Sequence, residues 1–232
     1  MKTVFVSLFA AAALIVTLES IAPFKKKYES KHKATQAVEL SETNHDHMCC
    51  VMDGADSSAL PGNSVYQLES SWKNQDGKIV NISDLRGRIV IIAMFYSHCT
   101  FACPLTINDM KRVEASLPNN IKAKVRFVLV SFDPKRDTPE ALKSLADGQQ
   151  LAVNPTTGGG NDWTLLTGRD RDIRSLAAVL GVLFKEKPDG DFLHSSQIAV
   201  LDRRGEIIHK HFGLNQPVDD VVNAVEKYSE QN

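Results

Sequence analysis

The hydrophobic pattern divides the chain into three stretches of different character. Positions 4–18 form an unbroken, mostly apolar run without a single charge, and Glu19 ends it. Positions 23 to about 62 are polar, first lysine-rich, then rich in Ser, Thr, Asn and His, with no strand or helix period. From Ser64 onward short apolar runs alternate with segments of helical spacing. The first run is short for a membrane span and long enough for a signal-peptide core. Ser20 and Ala22 are small enough for a cleavage site, but Pro23 would follow the cut. Residues 1–22 are therefore expected to be a signal peptide or a membrane anchor, which places the rest of the chain outside the cytoplasm. Residues 23–62 read as a polar tether closed by Pro61-Gly62, and residues 63–232 as one folded domain.

Within that domain, 65–68 and 78–82 are strand candidates on either side of the turn signal Asp76-Gly77. The run 89–95, IVIIAMF, is wholly apolar, as expected of a strand buried on both faces. A loop over 97–103 leads to Pro104, placed where a helix tolerates it, and 105–117 carries helical spacing. A second buried strand is expected at 125–130, VRFVLV. Thr138, with Pro139 and Glu140 behind it, starts a helix through Ala146. A short strand at 163–166 and a helix from Asp170 to Leu180 follow, the latter stopped by Gly181. Residues 197–201 and 207–210 form a hairpin around 202–205, and 218–228 is a closing amphipathic helix. Alternating strands and helices followed by a hairpin predict an α/β fold, a mixed central sheet flanked by helices. This is the element order of the thioredoxin-like fold.

Net charge narrows the function. With 27 basic against 28 acidic residues, the chain has no overall basic field for phosphate, so nucleic acid is excluded as a partner. Gly158-Gly159-Gly160 lacks the strand before it and the Lys-Ser/Thr after it that a phosphate cradle needs. The four cysteines fall in two pairs, Cys49-Cys50 and Cys99/Cys103, too few to staple a scaffold of this size. They are read as chemical.

Cys99 and Cys103 straddle a strand-to-helix turn in FYSHCTFACP, with Cys103 at the helix start, where the N-terminus favours a thiolate. Two thiolates are a soft pair suited to Cu(I). His194, before the hairpin, is the best third ligand; two sulfurs and one imidazole can hold Cu(I), and Cu(II) with an added ligand. His98 adjoins Cys99 but is expected to point away. His209 and His211 alternate on a strand and share a face, and are read as surface residues.

The ordered blocks FYSHCTFACPLT, SFDPKRDTPE and HSSQIAVLDRRGEI resemble the Sco/SenC family over about residues 63–229. The resemblance implies a copper-binding, thioredoxin-like domain that supports assembly of the binuclear copper site of cytochrome c oxidase. Its partners would be the copper-bearing oxidase subunit and other copper carriers or thiol reductants. Cys99, Cys103 and His194 match the family's copper ligands. Asp133 and Asp137 fall in the acidic block and are supporting candidates, although both also fit turn-forming roles.

Outside the match, His45, His47, Met48, Cys49, Cys50 and Met52 crowd soft and borderline ligands into the tether. They could capture copper and pass it on, or form a disulfide. Two other functions compete with a copper chaperone. One is a thiol-disulfide oxidoreductase that keeps client cysteines reduced. Against it stand three residues between the cysteines, where thioredoxin-type motifs have two, and the lack of any proline between Pro188 and Pro217. The other is a peroxiredoxin-like peroxidase, for which Thr100 sits three before Cys103 but Tyr96 stands where the proline is expected.

Overall fold

The computed structural model describes residues 60–152 and 162–230. The expected targeting segment, nearly all of the tether, the 45–52 cluster and Gly158–160 lie outside them.

The first element among the described residues is a 3-10 turn at Val65–Gln67, in place of the strand expected there. Ser64 decides this: its hydroxyl accepts from the Tyr66 N–H at 3.1 Å and closes the turn. Val65 then donates to the Gly205 carbonyl at 2.9 Å. Gly205 has a φ of +83°, and a Cβ there would come within 2.5 Å of the Tyr66 ring, so only glycine fits. The strand that pairs across Asp76-Gly77 is instead β1 (Ser71–Asn74), joined antiparallel to β2 (Ile79–Asn81).

β3 (Ile89–Phe95) is buried at every position. It runs parallel to β4 (Val125–Ser131), which runs parallel to β5 (Asp162–Gly168). After two short strands, β6 (Phe184–Glu186) and β7 (Phe192–His194), come β8 (Gln197–Leu201) and β9 (Ile207–Phe212). The main sheet has seven strands in the order β2-β1-β5-β4-β3-β8-β9, with β8 antiparallel to β3. β6 and β7 form a separate two-stranded hairpin that the sequence reading missed.

The helices are α1 (Ala102–Ser116), α2 (Asn119–Lys122), α3 (Pro139–Gly148), α4 (Asp170–Leu180) and α5 (Asp219–Ser229). Thr138 caps α3 through its side chain, as predicted. Gly181 ends α4 at φ +82°, again as predicted. α1 and α5 touch each other and pack on β3 and β8, while α3 packs on β5 and β1. Thus β3 is sandwiched in the middle, and its C-terminal end is where the chain must turn out of the sheet into α1. At the other end of the strands, Arg88 and Arg126 each reach Asp162 at 3.0 Å and pair its buried carboxylate.

Candidate metal centre

Tyr96 continues the buried run past β3, and Ser97 begins the turn to the surface. The Cys99 N–H donates to the Tyr96 carbonyl at 3.3 Å and bends the chain toward α1. α1 starts with no side-chain cap at Phe101, so its first-turn N–H groups need another acceptor. A sulfur supplies it: the Cys103 N–H donates to Cys99 Sγ at 3.2 Å.

This bond sorts the two thiols. Burial raises the Cys99 thiol, but the N–H groups of Cys103 and Phe101 and the side chains of His194 and Cys103 outweigh it and bring Cys99 down to about 7. Cys103, 3% exposed, goes the other way. Burial, helped by the charge on Cys99, pushes its thiol up. The expectation that the helix start would make Cys103 the thiolate is therefore corrected: the helix N-terminus serves Cys99, because Cys103 itself is buried under the turn.

His194 comes in on β7, paired with Phe184 of β6. Its Nδ1 lies 3.1 Å from the Ser195 carbonyl, and its Nε2 lies 4.0 Å from Cys103 Sγ. With Nδ1–H donated to that carbonyl, Nε2 offers its lone pair to the sulfurs, the usual arrangement of a ligating imidazole. The ring is held by Phe132 at 5.2 Å and edge-on to Tyr96 at 5.9 Å. The ligand atoms of Cys99, Cys103 and His194 all lie within 4.8 Å of one another. Bonds of about 2.0–2.3 Å to a shared ion would space three trigonal ligands roughly 3.5–4 Å apart, so small rotamer shifts close the set.

The aspartates take other work. Asp137 is fully buried and accepts from the Ser97 N–H at 3.0 Å and from the hydroxyls of Ser97 and Ser131. It pins the turn that carries Cys99. Asp133 accepts from Arg136 Nε. Arg136 also donates to the Gly190 carbonyl at 2.6 Å and lies 5.9 Å above both the Tyr96 and Phe192 rings. The Tyr96 hydroxyl donates to Asp191, whose carboxyl Lys187 and Tyr96 hold well below the usual range. The loop of Asp133 and Asp137 thereby holds both the cysteine turn and the hairpin of His194. Neither carboxylate joins the metal-capable group.

His98 is exposed, with Nδ1 3.0 Å from its neighbour's hydroxyl, and stays out of the cluster as expected. The surface reading of His211 is corrected, while the side chain of His209 stays 26% exposed. α5 packs over β9 and covers their face, so His211 is 5% exposed, and both rings bond Asp220. The sequence reading also missed Tyr96, Phe132, Arg136 and Phe192. Three of these lie inside the blocks quoted above, but as packing residues they left no chemical signal there.

A mixed sheet whose central strand delivers a dithiol to a helix N-terminus, with an imidazole facing it, defines a thioredoxin-like protein with a Cys-Cys-His centre. The sequence model of the SCO1/SenC family matches residues 61–230, and the chain belongs to that family. It is 28% identical over 170 residues to the SCO1 protein homolog of Bacillus subtilis (strain 168), covering 71% of this chain and 83% of that one. The solved ScoI of Bradyrhizobium japonicum, which has copper bound, is 25% identical, with a TM-score of 0.53 over 68% of this chain and 96% of that one. BsSco, in which a disulfide switch was identified and which is a member of the Sco family of cytochrome c oxidase assembly proteins, is 25% identical. Its TM-score is 0.56, covering 70% of this chain and 92% of that one.

Proposed function

We propose that this chain is an extracytoplasmic copper chaperone. It binds Cu(I) and Cu(II) through Cys99, Cys103 and His194 and supports assembly of the binuclear copper site of cytochrome c oxidase. In this reading residues 1–22 export or anchor it, and 63–232 is the copper domain. One observation carries the proposal: two sulfurs and one imidazole nitrogen from distant parts of the chain converge within 4.8 Å. Two thiolates match Cu(I), and the imidazole adds affinity for Cu(II). The copper-bound relative and the family's link to oxidase assembly point the same way.

The test is titration of the chain with Cu(I) and Cu(II), wild type against His194→Ala. Wild type is expected to show intense thiolate-to-Cu(II) absorption. His194→Ala is expected to lose more affinity than the ~10–100-fold that a missing supporting contact costs. Unchanged affinity and spectra in the variant would remove His194 from the metal. The His45–Met52 cluster serves, on the same proposal, as an accessory capture site. A chain starting near Gly62 should then bind less copper than one that retains the cluster, and equal stoichiometry would reject it.

The split between the thiols favours a second reading, thiol-disulfide exchange. Thiolate Cys99 attacks a client disulfide, one client sulfur leaves as a thiol, and Cys103 then resolves the mixed disulfide. Two electrons pass from the pair to the client, with one proton from the Cys103 thiol and one from the water that took the Cys99 proton, leaving Cys99–Cys103 oxidised. Catalytic reduction of a disulfide substrate without tight copper binding would favour it. The peroxidase reading needs Cys103 as a thiolate, and burial pushes that thiol the wrong way.

A further inference from the structure

Apart from the dithiol, the described residues hold one other group able to ligate a metal: His209, His211 and Asp220. The alternation of β9 puts both imidazoles on the face that α5 covers, and Asp220 stands in the first turn of α5. Its two carboxylate oxygens act differently. Oδ1 accepts from the Val221 N–H at 2.9 Å, inside its own helix. Oδ2 receives both rings, His209 Nε2 and His211 Nδ1, each at 3.0 Å. His211 is 5% exposed, and its Nε2 has no partner, so the ring directs its polar bonding at Asp220 alone. The Asp220 side chain is 47% exposed and leaves the cluster open to water on one side.

We propose that His209, His211 and Asp220 form a second metal site, for a divalent transition ion, Cu(II) in preference to Zn(II). The donor set supports this. Two neutral imidazoles and a carboxylate suit borderline divalent ions, whereas the dithiol suits Cu(I). The same set binds Cu(II) more tightly than Zn(II) by the usual order of first-row ions. Three protein ligands on one side leave a coordination position for water on the open side. The ligand atoms must move slightly apart to admit an ion, and each ring must shift its proton to the opposite nitrogen. For partly exposed His209 that nitrogen can meet water. For His211 it is the buried Nε2, which lowers affinity relative to a fully satisfied site. The second site is therefore weaker than the dithiol. It rests on none of the residues assigned to copper delivery.

The experiment uses the full chain with Cys99→Ser, Cys103→Ser and His194→Ala, so that the first centre is gone. Cu(II) and Zn(II) are titrated by calorimetry into this background and into the same background carrying His209→Gln or Asp220→Asn. Metal taken by the 45–52 segment is common to all and cancels. The background is expected to bind one more equivalent of Cu(II) than either further variant, and to show imidazole nitrogen couplings in its Cu(II) resonance that weaken in His209→Gln. His209 is partly exposed and outside the buried core, so its replacement leaves the fold intact, which a melting curve checks. Equal stoichiometry and identical spectra across the three proteins would show that the cluster is only a hydrogen-bonded staple between β9 and α5.

Discussion

At the residue scale the chemistry of the centre is one hydrogen bond deep. The Cys103 N–H supports the sulfur of Cys99, while the Cys103 sulfur lies buried beneath it. In reduced, metal-free protein, alkylation of Cys99 should rise with pH around 7 and then level off, while Cys103 stays unmodified. Peptide mapping after iodoacetamide at stepped pH checks this, and equal labelling of both cysteines at neutral pH contradicts it. The Cys99 thiol falls from 9.0 when unfolded to about 7 when folded, so between those values the unfolded state holds the extra proton. Its contribution is full above 9 and is lost as pH drops through about 7. Asp137 works at the same scale. Asp137→Ala strands a part-buried N–H and two hydroxyls, and should cost about 1–3 kcal/mol by urea denaturation, with Asp137→Asn in between. If both variants unfold at the wild-type midpoint, the carboxylate does not pin the turn.

At the element scale the decisive piece is the β6–β7 hairpin, because it carries His194 and makes no ladder with the main sheet. Arg136 ties it down through Gly190 and the Tyr96 and Phe192 rings, while neutralising buried Asp133. Arg136→Ala should therefore weaken copper binding by ~10–100-fold, as loss of an outer support does, although no ligand is touched. A competition titration checks it; undiminished affinity means the hairpin holds itself. This element also marks where the sequence stops being legible. β3, β4 and the α3 and α4 termini are written locally, in all-apolar runs, in Thr138-Pro139 and in Gly181. Cys99, Cys103 and His194 could be named because their residue types are chemically scarce. β6 and β7 are three residues each and mostly half-buried or exposed, so no period betrays them. The 65–68 run has strand composition, but Ser64 and Gly205 turn it into a cap. The roles of Asp137 and Arg136 depend on partners dozens of residues away, and the burial of His211 depends on how α5 folds back over β9.

For the whole molecule, the dithiol stands on the turn and helix start that follow fully buried β3, and the imidazole on one of its least anchored elements. A bound ion would bridge the two. Ligand that binds only the folded state stabilises it by about 2.7 kcal/mol at a hundred times its dissociation constant, but that gain need not be spread evenly. The cysteine turn is already fixed by Asp137, and β3 has little local freedom left to lose. The hairpin has more: its two strands pair with each other and not with the main sheet, and it is tied to the rest through Arg136, Lys135 to Glu186 at 3.0 Å, the Tyr96 hydroxyl to Asp191, Arg174 over the Phe184 ring, and aromatic contacts. Local opening of such a segment costs less than global unfolding. Copper loading should therefore slow amide hydrogen exchange most strongly across Phe184–Glu186 and Phe192–His194, with little change in β3 and β4. Exchange measured with and without Cu(I), on wild type and on His194→Ala, separates the cases. Protection confined to the hairpin and absent from the variant means that the metal closes the fold through the imidazole. Equal slowing in both proteins means that the sulfurs alone hold the ion, and the hairpin is then scaffold rather than ligand arm.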